Sequence, residues 1–265
     1  METRSLLLDG DRITVHVTGR GPVALLIHGY PLDHRMWLDT LRGPLAQQHT
    51  LVAVDLRGHG QSPWCGDAVH TMERFADDLA ALIRVLSDDP IDVVGLSMGG
   101  YVALSLWADH EPLVRSLVLC DTKATADDDA ARAGRAAAIC TVLEQGRGAL
   151  AAGMTAKLLA PGADDLLRAR VHSMIEGTPV ETIVADLRGL AARPDRTALL
   201  PTISVPTLVV VGEHDAITPR ADADVMVACI PDSRLLVARG AGHMTPMEAP
   251  DEFAKAVGEL WATRP

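Results

Sequence analysis

Unbroken apolar runs alternate with amphipathic runs along most of the chain. Runs such as Val23–Ile27 and Val205–Val211 consist mainly of aliphatic and β-branched residues, which is typical of strands covered on both faces. Between such runs, apolar residues recur at helical spacing, as in the segment from Met72 to Leu86. The alternation predicts an α/β protein with a largely parallel sheet flanked by helices. Its ligand site is expected outside the carboxyl ends of the strands.

The expected strands and helices follow one another in this alternating order. Gly10-Asp11 separates the first two strands, and this spacing predicts an antiparallel hairpin at the edge of the sheet. The eight expected strands are Leu6–Asp9, Ile13–Val17, Val23–Ile27, Leu51–Val54, Ile91–Val94, Val114–Cys120, Val205–Val211 and Leu235–Val237. Helices are expected over Met36–Gln47, from Met72, over Tyr101–Trp107, over Pro219–Cys229 and from Pro250 onward.

The pattern changes between Thr122 and Leu200. This segment is rich in Ala, Arg and Asp and lacks β-branched runs, so it predicts several short helices. The expected breaks between them are Gly146, Gly153, Pro161-Gly162, Gly177 and Pro194. We expect residues 1–121 and 201–265 to form the core domain, and residues 122–200 to form a small helical cap over its site.

Charge and composition exclude several classes of partner. The chain has 265 residues, 48% of them hydrophobic, and a net charge of −11, so one large domain is expected and a nucleic acid or anionic membrane partner is not. No apolar run reaches the roughly 18 residues of a membrane span. The four cysteines show neither CxxC nor metal-ligand spacing. We therefore expect a cytoplasmic protein with reduced thiols and no metal; a homo-oligomer is compatible with the sequence.

The pentapeptide Gly95-Leu96-Ser97-Met98-Gly99 is the strongest chemical signal in the chain. It follows an expected strand and precedes an expected helix, which is the context of a nucleophile elbow, a tight turn that exposes a serine above the sheet. Glycine at both flanks lets the strand and the helix approach closely. We expect Ser97 to be the nucleophile. The N–H of Met98, unpaired at the start of the helix, is expected to stabilise the oxyanion.

A second loop with expected chemistry leaves the strand Val23–Ile27 as His28-Gly29-Tyr30-Pro31. A glycine-containing loop at the carboxyl end of a central strand can direct a backbone N–H at the same oxyanion. We expect that donor to be the N–H of Tyr30, because Pro31 has none. His28 and Gly29 are expected at the substrate-binding surface, with the His28 ring holding the loop rather than transferring protons.

Polar residues also follow two later strands. The segments that end in Asp215 and His243 each leave a strand, so these residues and Ser97 can converge at one edge of the sheet. A serine hydroxyl needs a neighbouring base whose pKa lies near the working pH, and His243 can supply it. Asp215 would fix the imidazole tautomer. Asp121 also follows a strand and is the alternative acid.

Other polar and apolar clusters have structural explanations beside functional ones. The run Asp55-Leu56-Arg57-Gly58-His59-Gly60 predicts a turn held by its own polar side chains. In the cap segment, Arg132 and Arg135 either bind a substrate carboxylate or lie in solvent. Five apolar cap residues either line the substrate pocket or pack helix against helix: Met154, Leu158, Leu159, Met174 and Ile175.

Five motifs together resemble the α/β-hydrolase superfamily over nearly the whole chain. They are His28-Gly29-Tyr30-Pro31, Asp55-Leu56-Arg57-Gly58-His59-Gly60, Gly95-Leu96-Ser97-Met98-Gly99-Gly100, Gly212-Glu213-His214-Asp215 and Gly242-His243. The resemblance implies the same nucleophile, base, acid and oxyanion donors. The segment Leu117–Thr122 and the compact cap are similar to those of 3-oxoadipate enol-lactonases and small carboxylesterases. The segment His28–Asp33 is similar to that of cofactor-free haloperoxidases and perhydrolases.

These residues predict a serine hydrolase that cleaves a small carboxylic ester or lactone through an acyl-enzyme on Ser97 and needs no cofactor. Perhydrolysis and carbon–carbon bond hydrolysis are the alternatives that use the same triad. A ligand receptor built on the same fold is a third. Serine rather than aspartate at the elbow disfavours dehalogenase and epoxide hydrolase chemistry.

Overall fold

Eight strands form one sheet in the computed structural model, which describes residues 1–262. The strands are β1 (Glu2–Leu8), β2 (Asp11–Gly19), β3 (Val23–Ile27), β4 (Thr50–Asp55), β5 (Ile91–Leu96), β6 (Val114–Cys120), β7 (Thr207–Gly212) and β8 (Ser233–Ala238). Their order across the sheet is β1-β2-β4-β3-β5-β6-β7-β8. β2 pairs antiparallel with β1 and β4, and all other neighbours pair in parallel. The predicted fold class is confirmed.

Helices flank this sheet and cover the central strands. Within residues 1–262 they are α1 (Leu38–Arg42), α2 (Met72–Leu86), α3 (Met98–His110), α4 (Asp129–Gln145), α5 (Arg147–Leu158), α6 (Asp165–Gly177), α7 (Val180–Ala192), α8 (Arg220–Cys229), α9 (Thr245–Glu248) and α10 (Pro250–Ala262). Short 3-10 turns occupy His34–Trp37, Pro44–Gln47, Glu111–Leu113 and Thr197–Thr202. α3 packs against β3, β5, β6 and α2, while α10 packs against β7, β8 and α1. In this part of the chain, every helix is too short or too polar to cross a membrane.

The order in which strands are added to the sheet reverses after β4, because β4 lies on one side of β3 and β5 lies on the other. β3 pairs with β4 on one side and with β5 on the other, so the loops after β3 and β5 leave the sheet side by side. Ile27, the last residue of β3, lies opposite Gly95, two residues before Ser97. A crevice opens outside the strand ends at such a reversal, and α/β proteins bind their ligands there.

Two of the expected helix boundaries are wrong. The segment 36–47 is not one helix, because α1 ends at an extended Gly43 and a 3-10 turn follows. Pro44 explains the break, since it has no N–H to donate and disfavours helical backbone at the preceding residue. Gly153 does not break a helix either but lies inside α5. A glycine costs only about 1 kcal/mol in a helix interior, which the surrounding turns can outweigh.

The four helices between β6 and β7, α4–α7, are the inserted helices, and the last of them is bound tightly to the core. The Thr182 hydroxyl donates to the Gly58 carbonyl oxygen at 3.0 Å. Asp186 is fully buried, with Oδ1 2.7 Å from His70 Nδ1 and Oδ2 2.9 Å from His59 Nε2. Burial opposes both charges, yet Asp186 raises the pKa of His59, and the two histidines lower the pKa of Asp186. A buried polar cluster therefore anchors α7.

Asp186→Ala should destabilise the protein, because it leaves His59 and His70 buried without their carboxylate. Removing one partner of a buried charged cluster costs roughly 3–5 kcal/mol. We expect the free energy of unfolding, measured by urea denaturation at neutral pH, to fall by about 3 kcal/mol. Glu181→Ala, at an exposed position of the same helix, is the control and should change this free energy by less than about 0.5 kcal/mol. Equal losses in the two variants would contradict the anchoring role.

Candidate active site

Ser97 lies on a tight turn between β5 and α3. Its φ of 54° and ψ of −111° are a strained conformation for a residue with a Cβ atom. Two glycines allow the turn: a Cβ on Gly95 would collide with the Gly99 carbonyl group, and a Cβ on Gly99 would collide with that of Ile27. Gly29 is close as well, since a Cβ there would come within 3.4 Å of the Ser97 Cβ. The half-buried Ser97 is thus enclosed by β5, α3 and the loop after β3.

The Ser97 hydroxyl begins a chain of hydrogen bonds through two later loops. Its Oγ lies 2.9 Å from His243 Nε2, and His243 Nδ1 lies 2.8 Å from Asp215 Oδ2. Thr218 holds Asp215, donating from its hydroxyl to Oδ2 at 2.7 Å and from its N–H to Oδ1 at 3.0 Å. Both His243 and Asp215 are buried. When Nδ1–H donates to the carboxylate, Nε2 is free to accept the serine proton.

Burial and neighbouring charges set the protonation of this pair. Burial alone would lower the pKa of His243, but the hydrogen bond to Asp215 and the charges of Asp215 and Asp121 raise it above its ordinary value. Burial also opposes the charge on Asp215, yet the hydrogen bonds from His243 and Thr218 keep the pKa of Asp215 below its ordinary value. His243 is therefore a stronger base than a free imidazole, and Asp215 stays ionised.

Asp121, the alternative acid, occupies a different position. It is fully buried and accepts hydrogen bonds from the Gly212 N–H at 2.9 Å, the Thr245 N–H at 3.1 Å and the Thr245 hydroxyl at 3.0 Å. These donors flank Asp215 and His243 in the chain. Burial raises the pKa of Asp121 to about 7. Within residues 1–262, Asp121 forms no hydrogen bond with His243, so it connects the segments that carry Asp215 and His243 rather than their side chains.

The loop after β3 holds the peptide group between Gly29 and Tyr30 in one orientation. The Gly29 carbonyl oxygen accepts from the Leu32 N–H at 2.9 Å and lies 2.9 Å from His28 Nδ1. His28 Nε2 accepts from the Leu56 N–H at 3.1 Å. Burial lowers the pKa of His28 to about 4, so its ring is neutral near pH 7. Because the carbonyl and the N–H of a trans peptide point in opposite directions, these bonds also direct the Tyr30 N–H.

The peptide group after Ser97 is held in a similar way. The Ser97 carbonyl oxygen accepts from the Thr122 hydroxyl at 2.8 Å and from the Gly100 N–H at 2.9 Å, which directs the N–H of Met98. In the part of the chain that the structure describes, neither the Met98 N–H nor the Tyr30 N–H donates to another group. Two unpaired backbone donors beside a serine are the components of an oxyanion hole.

A cavity of about 600 Å³ lies between the core and the inserted helices, and Tyr30 is the residue of the site that lines it. Tyr30 and Tyr101 line it on the core side, and Met154 is among the residues that line it from α5. Leu158 and Met174, also expected at the substrate, lie outside this lining and are only 3% and 1% exposed. Both side chains belong to the buried apolar core of the protein, where contact with other apolar groups accounts for them.

The two cap arginines lie in different surroundings. Arg135 lines the cavity, and its Nε donates to Asp127 at 3.1 Å. Arg132 lies outside the lining: its Nε donates to the Ala191 carbonyl oxygen at 3.4 Å, and it pairs with Asp129 at the surface. Of the two arginines, only Arg135 thus lines the cavity.

A second group of polar side chains, His16, His34 and Asp55, has the residue types of a metal site. One donor atom from each lies within 4.8 Å of the others, and all three residues are buried. Asp55 already accepts hydrogen bonds from the backbone N–H groups of His34 at 2.8 Å and Gln61 at 2.9 Å. Its Oδ2 lies 3.2 Å from His16 Nε2. We interpret this group as a hydrogen-bond network that holds the turn after β4.

Sequence reasoning missed three polar residues at the site: Thr122, Lys123 and Thr218. Thr122 and Lys123 follow Asp121 directly, and Thr218 lies three residues after Asp215. Position beside a strand end was the only available signal. Thr122 contacts the Ser97 carbonyl, and Thr218 contacts Asp215. Hydrophobic periodicity does not specify where the side chains of such loops and turns point, so it could not predict either contact.

Comparison with known proteins identifies the family. The alpha/beta hydrolase family model matches residues 24–256. A pimeloyl-[acyl-carrier protein] methyl ester esterase from Neisseria meningitidis is 34% identical over 86% of this chain and 73% of that protein. The 3-oxoadipate enol-lactonase 1 of Acinetobacter baylyi is 26% identical over 92% of this chain and 91% of that protein. A malate-bound thermophilic esterase from Thermogutta terrifontis shares 35% identity, with a TM-score of 0.93 and 99% of both chains covered. The chain therefore belongs to the alpha/beta hydrolase family and is a carboxylic ester hydrolase.

Proposed function

We propose that the chain hydrolyses a small carboxylic ester or lactone through an acyl-enzyme formed on Ser97. The observation that carries this proposal is the unbroken hydrogen-bond chain from Ser97 Oγ through His243 to Asp215, with distances of 2.9 and 2.8 Å. Two unpaired backbone donors lie beside it. Relatives named as a methyl ester esterase and an enol-lactonase support both bond types.

In the first step, His243 Nε2 takes the hydroxyl proton while Ser97 Oγ attacks the carbonyl carbon. The charge that develops on the carbonyl oxygen is stabilised by the N–H groups of Tyr30 and Met98, which are oriented before the substrate binds. Asp215 stabilises the imidazolium. When the intermediate collapses, the carbon–oxygen bond breaks and His243 gives its proton to the leaving alcohol, or to the released oxygen of an opened lactone.

In the second step, water replaces the alcohol. His243 takes a proton from this water, the resulting hydroxide attacks the acyl carbon, and the same two N–H groups stabilise the second oxyanion. Collapse returns the proton to Ser97 Oγ and releases the acid. Both steps use side chains and backbone groups of the chain alone, so this chemistry needs no cofactor.

We also propose that residues 122–200 act as a cap that sets the size and shape of the substrate. Helices α4 and α5 supply much of the cavity lining, including Arg135 and Met154. The core contributes Tyr30 and Tyr101 to the same cavity. The acyl group of a substrate bound at Ser97 would therefore contact both parts of the chain.

We propose a cytoplasmic location because the cysteines form no disulfide among the residues that the structure describes. All four, Cys65, Cys120, Cys140 and Cys229, have free thiols in the structure. Free thiols are typical of reducing compartments, where disulfides seldom persist.

Ser97→Ala should abolish ester hydrolysis, because it removes the attacking oxygen. We expect kcat/KM for p-nitrophenyl butyrate to fall by roughly 10⁴-fold or more. Ser105→Ala, at a buried position of α3, is the control and should leave kcat/KM nearly unchanged. A fluorophosphonate probe should label the wild type at Ser97, as located by mass spectrometry. Labelling without hydrolysis of any ester or lactone would contradict the proposal and favour perhydrolysis, carbon–carbon bond hydrolysis or a receptor.

The pH dependence should separate the roles of the two carboxylates. Catalysis needs neutral His243, so kcat/KM should rise with pH through the pKa of His243, which is raised in the folded protein. Asp121→Asn removes a charge that raises this pKa, so the rising limb should move to lower pH with a small loss at the plateau. Asp215→Asn should lower the plateau by roughly 10³–10⁴-fold, because the amide favours the wrong tautomer. A larger plateau loss in Asp121→Asn would make Asp121 the acid.

Thr122→Val should weaken the oxyanion hole, because the Ser97 carbonyl loses the hydroxyl that holds its peptide group. The valine side chain has nearly the same shape, so the fold should persist. We expect kcat for p-nitrophenyl butyrate to fall roughly 10-fold with little change in KM. Thr125→Val, in the same loop, is the matched control. A rise in KM with unchanged kcat would show that Thr122 contacts the substrate instead of positioning the donor.

A further inference from the structure

Positive charge is concentrated in the cavity that Tyr30 and Tyr101 line. Four charged residues line it: Lys123, Asp127, Arg135 and Lys157. Three of them are cations, in a chain whose net charge is −11. Basic side chains gathered in one cavity of an acidic protein indicate an anionic ligand, provided that they are not neutralised from within the protein.

The carboxylate of Asp127 is already neutralised by a residue outside the lining. Arg193 Nη1 lies 2.5 Å from Asp127 Oδ1, and the side chains are only 3% and 1% exposed. Burial opposes the charge on Asp127, but Arg193 and Arg135 keep its pKa below the ordinary value. The guanidinium of Arg193 also lies 4.2 Å from the centre of the ring of Tyr101, which does line the cavity. Asp127 and Arg193 therefore form a buried ion pair in which each neutralises the other's charge.

Arg135 keeps most of its hydrogen-bonding capacity. It donates to Asp127 through Nε alone, at 3.1 Å, and its side chain is 26% exposed. Its two terminal amino groups form no hydrogen bond with any residue among 1–262. These groups are the ones that bind a carboxylate in a bidentate manner.

Lys123 is the second uncommitted cation. It follows Thr122, whose hydroxyl binds the Ser97 carbonyl, so its backbone lies next to the nucleophile turn. The side chain is half-buried and, within the described part of the chain, forms neither an ion pair nor a hydrogen bond. Burial raises the pKa of Asp222, and the charge of Lys123 opposes that rise without the two residues forming an ion pair. The Lys123 ammonium group is therefore available to an anionic group that enters the cavity.

The rest of the lining suits a hydrocarbon chain. Apolar side chains, among them Ala138, Leu150, Met154 and Ile217, face the same space. Its volume of about 600 Å³ lies within the usual range of small-molecule pockets, roughly 300–1,000 Å³. The third cation, Lys157, is exposed, so Lys123 and Arg135 are the partly buried cations of the lining. The cavity thus combines apolar walls, these two cations and Tyr30, whose N–H is an expected oxyanion donor.

We propose that the preferred substrate is an ester or lactone whose acyl part carries a second, free carboxylate, and that Lys123 and Arg135 bind this carboxylate. The apolar walls would hold the chain between the carboxylate and the carbonyl that Ser97 attacks. This inference rests on the proposed function and specifies the substrate class of the same site.

The test compares two esters with the same carbon chain. Monomethyl adipate carries a carboxylate at neutral pH, whereas dimethyl adipate carries no charge. Wild type should hydrolyse the monoester with a kcat/KM roughly 10-fold or more above that for the diester. Lys123→Met and Arg135→Gln should each raise KM for the monoester by roughly 10- to 100-fold and leave KM for the diester nearly unchanged. Arg132→Gln, on the same helix but outside the cavity, should change neither.

A second measurement does not depend on turnover. Adipate should slow the labelling of Ser97 by an uncharged fluorophosphonate in wild type, and much less in Arg135→Gln. Equal effects of the variants on both esters, a wild-type preference for the diester, or absence of protection by adipate would overturn the carboxylate site and leave the serine hydrolase proposal standing. No labelling at Ser97 and no hydrolysis of either ester would overturn the proposed function, and this inference with it.

Discussion

Close contact between three backbone segments is the constraint on which the site depends. Because Gly95 and Gly99 have no Cβ, β5, α3 and the end of β3 touch one another. The contact holds Ser97 at a positive φ and brings Gly29 against it. A single packing interaction therefore positions the serine and the two peptide groups whose N–H bonds flank it. A side chain at either glycine would displace all three segments at once, so the position of Ser97 tolerates no substitution at these two glycines.

Two buried carboxylates organise the loops that complete the site. Asp215 bonds to the ring of His243, and Asp121 accepts from backbone groups on both loops. The side chain of His243 is thus held by one carboxylate and its loop by the other. Each carboxylate accepts several hydrogen bonds, which satisfy its buried oxygen atoms. The hydrogen bonds keep the pKa of Asp215 below its ordinary value, whereas burial raises the pKa of Asp121 to about 7. In their ionised forms both carboxylates raise the pKa of His243, so the groups that position this ring also increase its basicity.

The fold was predictable because it depends on local signals: apolar runs, helical spacing, and glycines at turns. The convergence of Ser97, Asp215 and His243 was predictable because each residue follows a parallel strand. This inference does not depend on the side chains elsewhere in the chain. The choice between Asp215 and Asp121 remained open in the sequence because both follow a strand, and only side-chain geometry separates them. The break at Gly43 was signalled by Pro44, whereas the continuity of α5 through Gly153 depends on packing. The reach of Thr122 to the Ser97 carbonyl is tertiary and has no local signal.

Among the inserted helices, one packs firmly against the core and another lines the cavity. α7 buries seven of its residues, including Asp186, against the rest of the protein. α4 buries only Val142 among its 17 residues, yet it contributes Arg135 to the cavity. Substitutions on a weakly buried helix change stability little, so residues that line the cavity from α4 can change without disturbing the turn at Ser97 or the anchor at Asp186. The hydrogen-bonded serine depends on backbone contacts that tolerate no side chain, while the cavity beside it is lined by the helix with the fewest packing constraints.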